Sequence, residues 1–182
     1  MQNNSEAENS YQLIDEGNGI RLKIFSTSED ESKTFAIRYK VINAASKYND
    51  TGELYWQFMG KDTDVTIKNF ELLITLPEGA DKEQIKIFGH GPLSGISEIV
   101  DSRNVRLQVE KLLPHNFVEA RILFPPSLIK NSGKIFEKDA LERIMSEEKG
   151  FADEANARRA KARAAVGFSF VYVLFELLYF YI

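Results

Sequence analysis

Short runs of alternating hydrophobic and polar residues recur along the first two thirds of the chain. Successive side chains of a β-strand point to opposite faces, so this alternation predicts half-buried strands. The predicted strands cover residues 20–24, 35–41, 53–58, 65–76, 85–87, 105–109 and 118–124. The first two strands, which an acidic stretch separates, are predicted to pair as a hairpin.

Residues that favour turns separate these strands, and no helical pattern lies between them. Asn, Asp and Gly fill residues 48–52, Pro77 ends the longest strand, and Gly and Pro dominate residues 89–95, which we interpret as a loop. Several short strands without intervening helices are typical of an antiparallel β-sandwich. We predict this fold for residues 11–129, after a disordered N-terminus at residues 1–10.

The hydrophobic period changes beyond Gly133. Leu141, Ile144 and Met145 follow helical spacing, and a break is predicted near Gly150. Acidic residues come first in this region and are followed by a basic cluster, an order that complements the dipole of a helix. The basic cluster consists of Arg158, Arg159, Lys161 and Arg163. We interpret residues 130–163 as a charged helical stalk.

Residues 164–182 are almost entirely apolar, and Glu176 is their one charged residue. At about 1.5 Å rise per residue, a helix of this length reaches roughly the 30 Å of a bilayer's hydrocarbon core. The stretch predicts a transmembrane helix, so membrane lipid is an expected partner. Glu176 would then be a membrane-embedded acid that is protonated, reaches the headgroups or faces a partner helix. The alternative is a buried core element, because the aromatic residues of this stretch also suit a strand.

Together these patterns predict a mainly β protein, in which an antiparallel β-sandwich is followed by a helical stalk and an incomplete C-terminal transmembrane helix. The net charge of -4 gives no support for nucleic-acid binding. The absence of cysteine excludes disulfides, thiolate metal sites and a cysteine nucleophile. The first residues have neither the basic nor the apolar region of a signal peptide.

Aromatic residues around the third predicted strand are the first candidates for ligand binding. Trp56 alternates with Leu54 and Phe58, which predicts a core position for its indole ring. The alternative is that Trp56, with Tyr48 and Tyr55, forms a stacking platform for a sugar or a peptide.

His90 lies between two glycines and is the remaining candidate for a binding role. The loop could present its ring as a general base, or it could be a tight turn with the ring facing solvent. The two histidines, His90 and His115, are far apart in sequence. They give little support for a metal site or a catalytic triad.

Two pairs of carboxylates lie near predicted turns. Asp62 with Asp64, and Asp50 with Glu53, are candidate Ca²⁺ ligands or, alternatively, solvated turn acids. Neither pair matches the EF-hand loop pattern. We therefore expect no metal, no other cofactor and no catalytic residue.

Several stretches in sequence order resemble domain-of-unknown-function family 2207, in the second half of its N-terminal domain. They are YNDTGELYWQFMG (48–60), IKNFELLITLP (67–77), IKIFGHGPLSG (85–95) and FVEARILFPPSLI (117–129). The segment EEKGFADEANARR (147–159), which runs into an apolar stretch, resembles the family as well. The resemblance implies a predicted membrane protein of bacteria or archaea, with an export signal, an extracytoplasmic β-rich domain, one or more membrane helices and often a low-complexity tail.

The chain departs from this family pattern at both ends. It lacks the export signal and the first strands, and it stops inside the first membrane segment, so we expect a fragment of a longer protein. The basic cluster before the apolar stretch favours a cytoplasmic β-domain, whereas the resemblance implies an extracytoplasmic one. We follow the resemblance, because the export signal that the family implies would determine the membrane orientation more strongly than the basic cluster does.

The sequence therefore predicts a non-enzymatic, single-pass protein of the cell membrane, with its β-domain outside the cytoplasm. We expect a structural or interaction module of the cell envelope, whose partner is an envelope protein or a glycan. One alternative is a carbohydrate- or peptide-binding module. Another is an envelope hydrolase, which requires His90 within hydrogen-bond reach of a carboxylate or a serine in a pocket.

Overall fold

The computed structural model describes residues 8–17 and 19–179, with side chains described as far as Ala164. The chain forms two compact units, Met1–Lys40 and Val41–Ile182. In outline, three antiparallel sheets precede one C-terminal helix. The prediction of a mainly β protein is therefore confirmed.

The first unit contains a two-stranded hairpin of β1 (Ser10–Asp15) and β2 (Ile20–Phe25). A short turn joins the strands, in which Gly17 has a positive φ of 77° and its amide donates a 2.8 Å hydrogen bond to Asp15 Oδ1. The strand at residues 20–24 is thus confirmed, but its predicted partner at residues 35–41 is wrong. A local turn closes β1 onto β2, whereas residues 35–41 form no strand and their large apolar side chains are exposed.

The second unit contains seven strands in two antiparallel sheets. One sheet has the order β3-β4-β9-β6 and the other the order β5-β8-β7. The strands are β3 (Ala45–Lys47), β4 (Gly52–Met59), β5 (Ile67–Thr75), β6 (Lys86–His90), β7 (Ile96–Ile99), β8 (Asn104–Leu112) and β9 (Val118–Phe124). The later predicted strands are confirmed, but β3 and β7 were not predicted. The predicted loop at residues 89–95 is wrong for Gly89 and His90, which lie in β6.

Both sheets of the second unit contribute to one hydrophobic core. Val105 and Leu107 of β8 lie in the same buried cluster as Ala120 and Ile122 of β9. These side chains alternate along their strands, as the period-two pattern of the sequence predicted. These residues come from inner strands, because β8 is the middle strand of its sheet and β9 is one of the two inner strands of the other.

The helix α1 (Leu141–Tyr179) follows the sheets. Its first turn is capped from a distant loop, because Asp50 accepts hydrogen bonds from the amides of Ala140 (2.9 Å) and Leu141 (3.0 Å). The predicted break at Gly150 is wrong, since the helix runs through a glycine that costs only about 1 kcal/mol relative to alanine. The predicted stalk is also wrong before Leu141, where residues 130–140 are not helical.

Within the part of the chain that the structure describes, no helix is both long enough and apolar enough to cross a membrane. The side chains of the predicted transmembrane helix beyond Ala164, including the carboxyl of Glu176, lie outside the described residues.

Candidate functional site

The helix α1 covers the face of the four-stranded sheet that is turned away from the core. Leu123 of β9 packs against Ala140 and Ile144 at the start of the helix. The central strand β9 is consequently buried on both faces, with Ile122 towards the second sheet and Leu123 towards the helix. Any polar side chain on the helix-facing side of β9 therefore needs a partner within the protein.

Arg121 is that polar side chain, and it lies at the centre of a buried ion cluster. Its Nε donates to Glu53 Oε1 of β4 at 2.6 Å. Its Nη1 donates to Glu147 Oε2 at 3.0 Å and to Glu148 Oε1 at 2.9 Å, both on α1. Arg121, Glu53 and Glu148 are only 5%, 6% and 4% exposed. A single guanidinium thus joins two strands of the sheet to the helix.

Neighbouring cations keep the two helical carboxyls of this cluster ionised. Burial alone raises the pKa of the Glu148 carboxyl, but the neighbouring His90 and Arg121 outweigh it and hold that pKa below its ordinary value. Burial likewise raises the pKa of Glu147, while its hydrogen bonds to Arg143 and Arg121 lower it further than burial raises it. Both carboxyls are therefore ionised at neutral pH.

The arginine itself is held in its charged form. Burial lowers the pKa of Arg121, but its hydrogen bonds to Glu148 and Glu53 reverse that effect and raise the pKa above the ordinary value. Three carboxylates face the two guanidinium groups of Arg121 and Arg143, which leaves one negative charge in excess.

His90 lies against the helix, not in solvent as the tight-turn interpretation of residues 89–95 required. Its Nε2 is 3.3 Å from Glu148 Oε2, and its side chain is 15% exposed. This distance suits an ion pair, but the imidazole and the carboxylate are not oriented for a hydrogen bond. Gly89 sets this orientation, because it faces Leu107 of the other sheet so closely that a Cβ there would lie 3.1 Å from the leucine. The next residue along the strand therefore points to α1.

Aromatic rings surround His90 and Arg121. The Tyr55 ring stacks against the Arg121 guanidinium at 4.5 Å and lies 5.9 Å from the His90 ring. Phe151 of α1 meets the His90 ring edge to face at 5.2 Å. Burial, together with a hydrogen bond to Glu119, raises the pKa of the Tyr55 hydroxyl to about 12. Tyr55 is therefore a neutral hydrogen-bond donor at physiological pH.

The structure brings together two of the four predicted ligand-binding residues. Tyr55 and His90 are neighbours, whereas Tyr48 stacks on Phe136 at 5.1 Å. Trp56 is half-buried and, by the alternation of β4, lies on the opposite face from Tyr55. A single platform of Tyr48, Tyr55 and Trp56 is therefore not formed. Whether any of these residues binds a ligand stays a prediction.

Three of the four carboxylates in the predicted pairs contact other groups of the protein. Asp50 caps α1, and Glu53 binds Arg121. Asp64 lies 3.7 Å from the exposed His115 ring. In the described residues, no three His, Asp or Glu side chains come together in a way that could hold a metal ion.

A cleft of about 500 Å³ lies beside the ion cluster. One wall is β6 with the segment that follows it, and the other wall is α1 from Glu148 to Arg159. Gly91 permits the close approach of this segment to β9, because it has a φ of 148° and a Cβ there would lie 2.5 Å from the Phe117 carbonyl oxygen. Tyr55 and His90 line the end of the cleft that adjoins Arg121.

The sequence interpretation missed Arg121, Glu147 and Glu148. A signal for Arg121 was present, since a charged residue interrupts the otherwise apolar end of β9, where it is buried. An arginine in such a strand predicts a buried partner of opposite charge. The partners themselves lie 26 to 68 residues away along the chain, and no local pattern identifies them.

Acidification is expected to destabilise the docked helix. The folded-state pKa values of Glu147 and Glu148 lie below their ordinary 4.5, so their stabilisation is present above that pH and is lost as the pH falls through the lowered values. The free energy of unfolding, measured in urea from about pH 6 to about pH 3, should therefore fall less steeply in Glu148→Gln than in the wild type. Glu98→Gln, at an exposed carboxylate on β7 outside the cluster, is the control for the loss of one carboxylate. Parallel curves for Glu148→Gln and wild type would contradict this account.

Of the comparisons with known proteins, the family comparison gives a match. Residues 3–124 match the family described as Predicted membrane protein (DUF2207) N-terminal domain. The matched region covers about two thirds of the chain and extends to the last residue of β9. The segment 147–159 lies outside it. No curated protein and no solved structure matches the chain. The match over more than half of the sequence shows that the chain belongs to the DUF2207 family of predicted membrane proteins.

Proposed function

We propose that this chain is a membrane-anchored, extracytoplasmic β-sandwich that serves as a structural or interaction module of the cell envelope and is not an enzyme. The observation that supports this proposal is the buried cluster in which Arg121 binds carboxylates of both β4 and α1. The cluster fixes the sheet to the helix that leads towards the apolar end of the chain. In this proposal, α1 is a rigid mount that holds the β-domain at a set position above the bilayer.

The chemistry of the cluster favours a structural role over catalysis. A hydrolase that used His90 would need an ionised carboxylate hydrogen-bonded to the ring, to orient it as the general base. Glu148 Oε2 lies 3.3 Å from His90 Nε2, but the two groups are not oriented for a hydrogen bond. The other oxygen of Glu148 accepts a hydrogen bond from Arg121, so this carboxylate serves the ion cluster.

The anchor rests on the sequence of residues 164–182. Their Val, Leu, Ile and Phe side chains favour insertion by roughly 3 to 7 kcal/mol in total, against about 2.5 to 3.5 kcal/mol for the carboxylate of Glu176 at the bilayer centre. The backbone of α1 continues without interruption as far as Tyr179. Membrane and β-domain would thus share one continuous helix.

Membrane attachment is tested by sedimentation of the full chain from lysed cells. The protein should remain in the pellet after alkaline carbonate washing. The double variant Val171→Arg and Leu174→Arg should release it, because each arginine costs about 2.5 to 3.5 kcal/mol at the bilayer centre. The matched variant Val171→Leu and Leu174→Val keeps the stretch apolar and should stay in the pellet. Recovery of the wild type in the supernatant would overturn the proposal.

The side of the membrane is tested by limited proteolysis. Arg38 and Lys40 are exposed in a segment without regular structure, which makes them sites for trypsin. Trypsin added to intact spheroplasts should cut there if the β-domain is extracytoplasmic. Cleavage only in inverted vesicles would place this segment in the cytoplasm and contradict the proposed orientation.

A further inference from the structure

The cleft beside α1 has the volume and position of a binding site, and it lies next to the ion cluster. Its volume of about 500 Å³ lies within the range of small-molecule pockets. Because one wall is β6 with the segment after it and the other is α1, the cleft exists only while the helix is docked.

Large apolar side chains line this cleft and remain open to solvent. Leu93, Ile96 and Phe151 are 41%, 65% and 47% exposed, and all three lie on its walls. Phe117 lines it as well. Exposed apolar residues that gather around one opening mark a site for an apolar ligand. The lining is partly apolar and partly polar, and its apolar part suits a hydrocarbon chain.

Among the described residues, the Arg159 guanidinium has no acidic partner, and it lies at the rim. Arg159 donates to Asn156 Oδ1 and to the Leu93 carbonyl oxygen, each at 3.2 Å, and both acceptors are neutral. Its neighbour Arg158, by contrast, lies 3.6 Å from the Glu154 carboxylate. The guanidinium of Arg159 thus retains its full charge for a ligand, and it matches a phosphate or a carboxylate.

The acidic residues of the lining do not neutralise Arg159. Glu148 is committed to Arg121 and faces His90. Glu154 is paired with Arg158, and Glu119 acts on the Tyr55 hydroxyl, whose pKa it raises. A cleft whose lining is partly apolar, with the Arg159 guanidinium at its rim, is complementary to an amphipathic anion.

The position of Arg159 on α1 identifies the source of such an anion. Arg159 precedes the apolar residues 164–182 by five positions, which is about 7 Å along a helix. If α1 enters the membrane at Ala164, as the proposed function holds, the rim lies at headgroup level. We infer, resting on that proposed function, that the cleft holds an acyl chain of an anionic phospholipid whose phosphate binds Arg159.

The test uses the full chain in vesicles of phosphatidylcholine and phosphatidylglycerol, with a trace of phosphatidylglycerol that carries a photoreactive group in its acyl chain. After illumination, labelled peptides are identified by mass spectrometry. Label is expected at Leu93, Ile96 and Phe151. Arg159→Gln should lower this label about tenfold, because it removes the charge-assisted hydrogen bonds that the guanidinium donates to the phosphate. Ala155→Trp, which fills the cleft from its helical wall, should abolish it.

Matched controls separate this site from general membrane attraction. Lys161→Gln removes an equally exposed charge that does not line the cleft, and it should leave the label unchanged. Photoreactive phosphatidylcholine should label the cleft less, and Arg159→Gln should not alter that label. Label spread along the apolar stretch alone, in protein that sediments with the vesicles, would overturn the inference and leave the membrane anchor intact. Protein that fails to sediment would overturn the proposed function, and this inference with it.

Discussion

Replacing Arg121 by methionine is expected to lower the free energy of unfolding by about 3 to 5 kcal/mol. The methionine would occupy much of the same volume, but Glu53 and Glu148 would remain buried without their cation. An uncompensated buried carboxylate is far more costly than a missing ion pair, because the desolvation penalty remains when the attraction is gone. The effect is measured by urea unfolding of the full chain in detergent micelles, followed by the fluorescence of Trp56.

The matched control for this substitution is Arg106→Met. Arg106 pairs with Glu98 and Glu71 across neighbouring strands, but this pairing is on the surface, where the arginine side chain is 37% exposed. Water screens such pairs, so a loss of less than about 1 kcal/mol is expected. Equal losses in Arg121→Met and Arg106→Met would show that burial adds nothing to the cluster and would contradict its role as a clamp.

Arg121→Lys separates charge from geometry. Lysine keeps the positive charge, but its single ammonium group cannot reproduce the planar guanidinium that spans Glu53 on one side and Glu147 and Glu148 on the other. We expect a loss that is smaller than in Arg121→Met and still larger than in Arg106→Met. A lysine variant as stable as the wild type would mean that charge alone holds the helix.

Most strands of this protein are readable from the sequence because each depends on local alternation. The run that ends β5, with Phe70, Leu72 and Ile74 in alternate positions, appears in the structure as the pattern predicted. Alternation identifies a strand but not its partner. Residues 35–41 have the same pattern as β2, yet the short turn after Asp15 joins β2 to the preceding segment and leaves residues 35–41 outside any sheet.

The candidate site was less predictable, because it is assembled from distant parts of the chain. His90 was recognised as unusual, but its environment depends on Glu148, which α1 brings from 58 positions further along. The glycine-rich composition of residues 89–95 favoured a loop, since glycine is costly in a strand. In the fold, Gly89 is needed in β6 because Leu107 of the facing sheet leaves little room for a side chain. Tertiary packing therefore overrode a correct local propensity.

Replacing Ile144 by alanine is the second change with a large expected effect. Ile144 is fully buried between α1 and the sheet, in contact with Leu123 and Ala140. Its truncation removes apolar contacts and leaves a cavity, which costs about 2 to 5 kcal/mol. The neighbouring Met145 is 36% exposed, so Met145→Ala on the same helical turn should cost less than about 1 kcal/mol.

The double variant Ile144→Ala with Arg121→Met shows whether the apolar and the ionic contacts act as one clamp. If α1 docks as a unit, the first substitution already weakens the docking that brings Glu147 and Glu148 to Arg121. The combined loss should then be smaller than the sum of the single losses by about 0.5 to 3 kcal/mol. If the two losses in free energy of unfolding simply add, the ionic and the apolar contacts of α1 form independently. The proposal that α1 is a rigid mount for the β-domain would then be wrong.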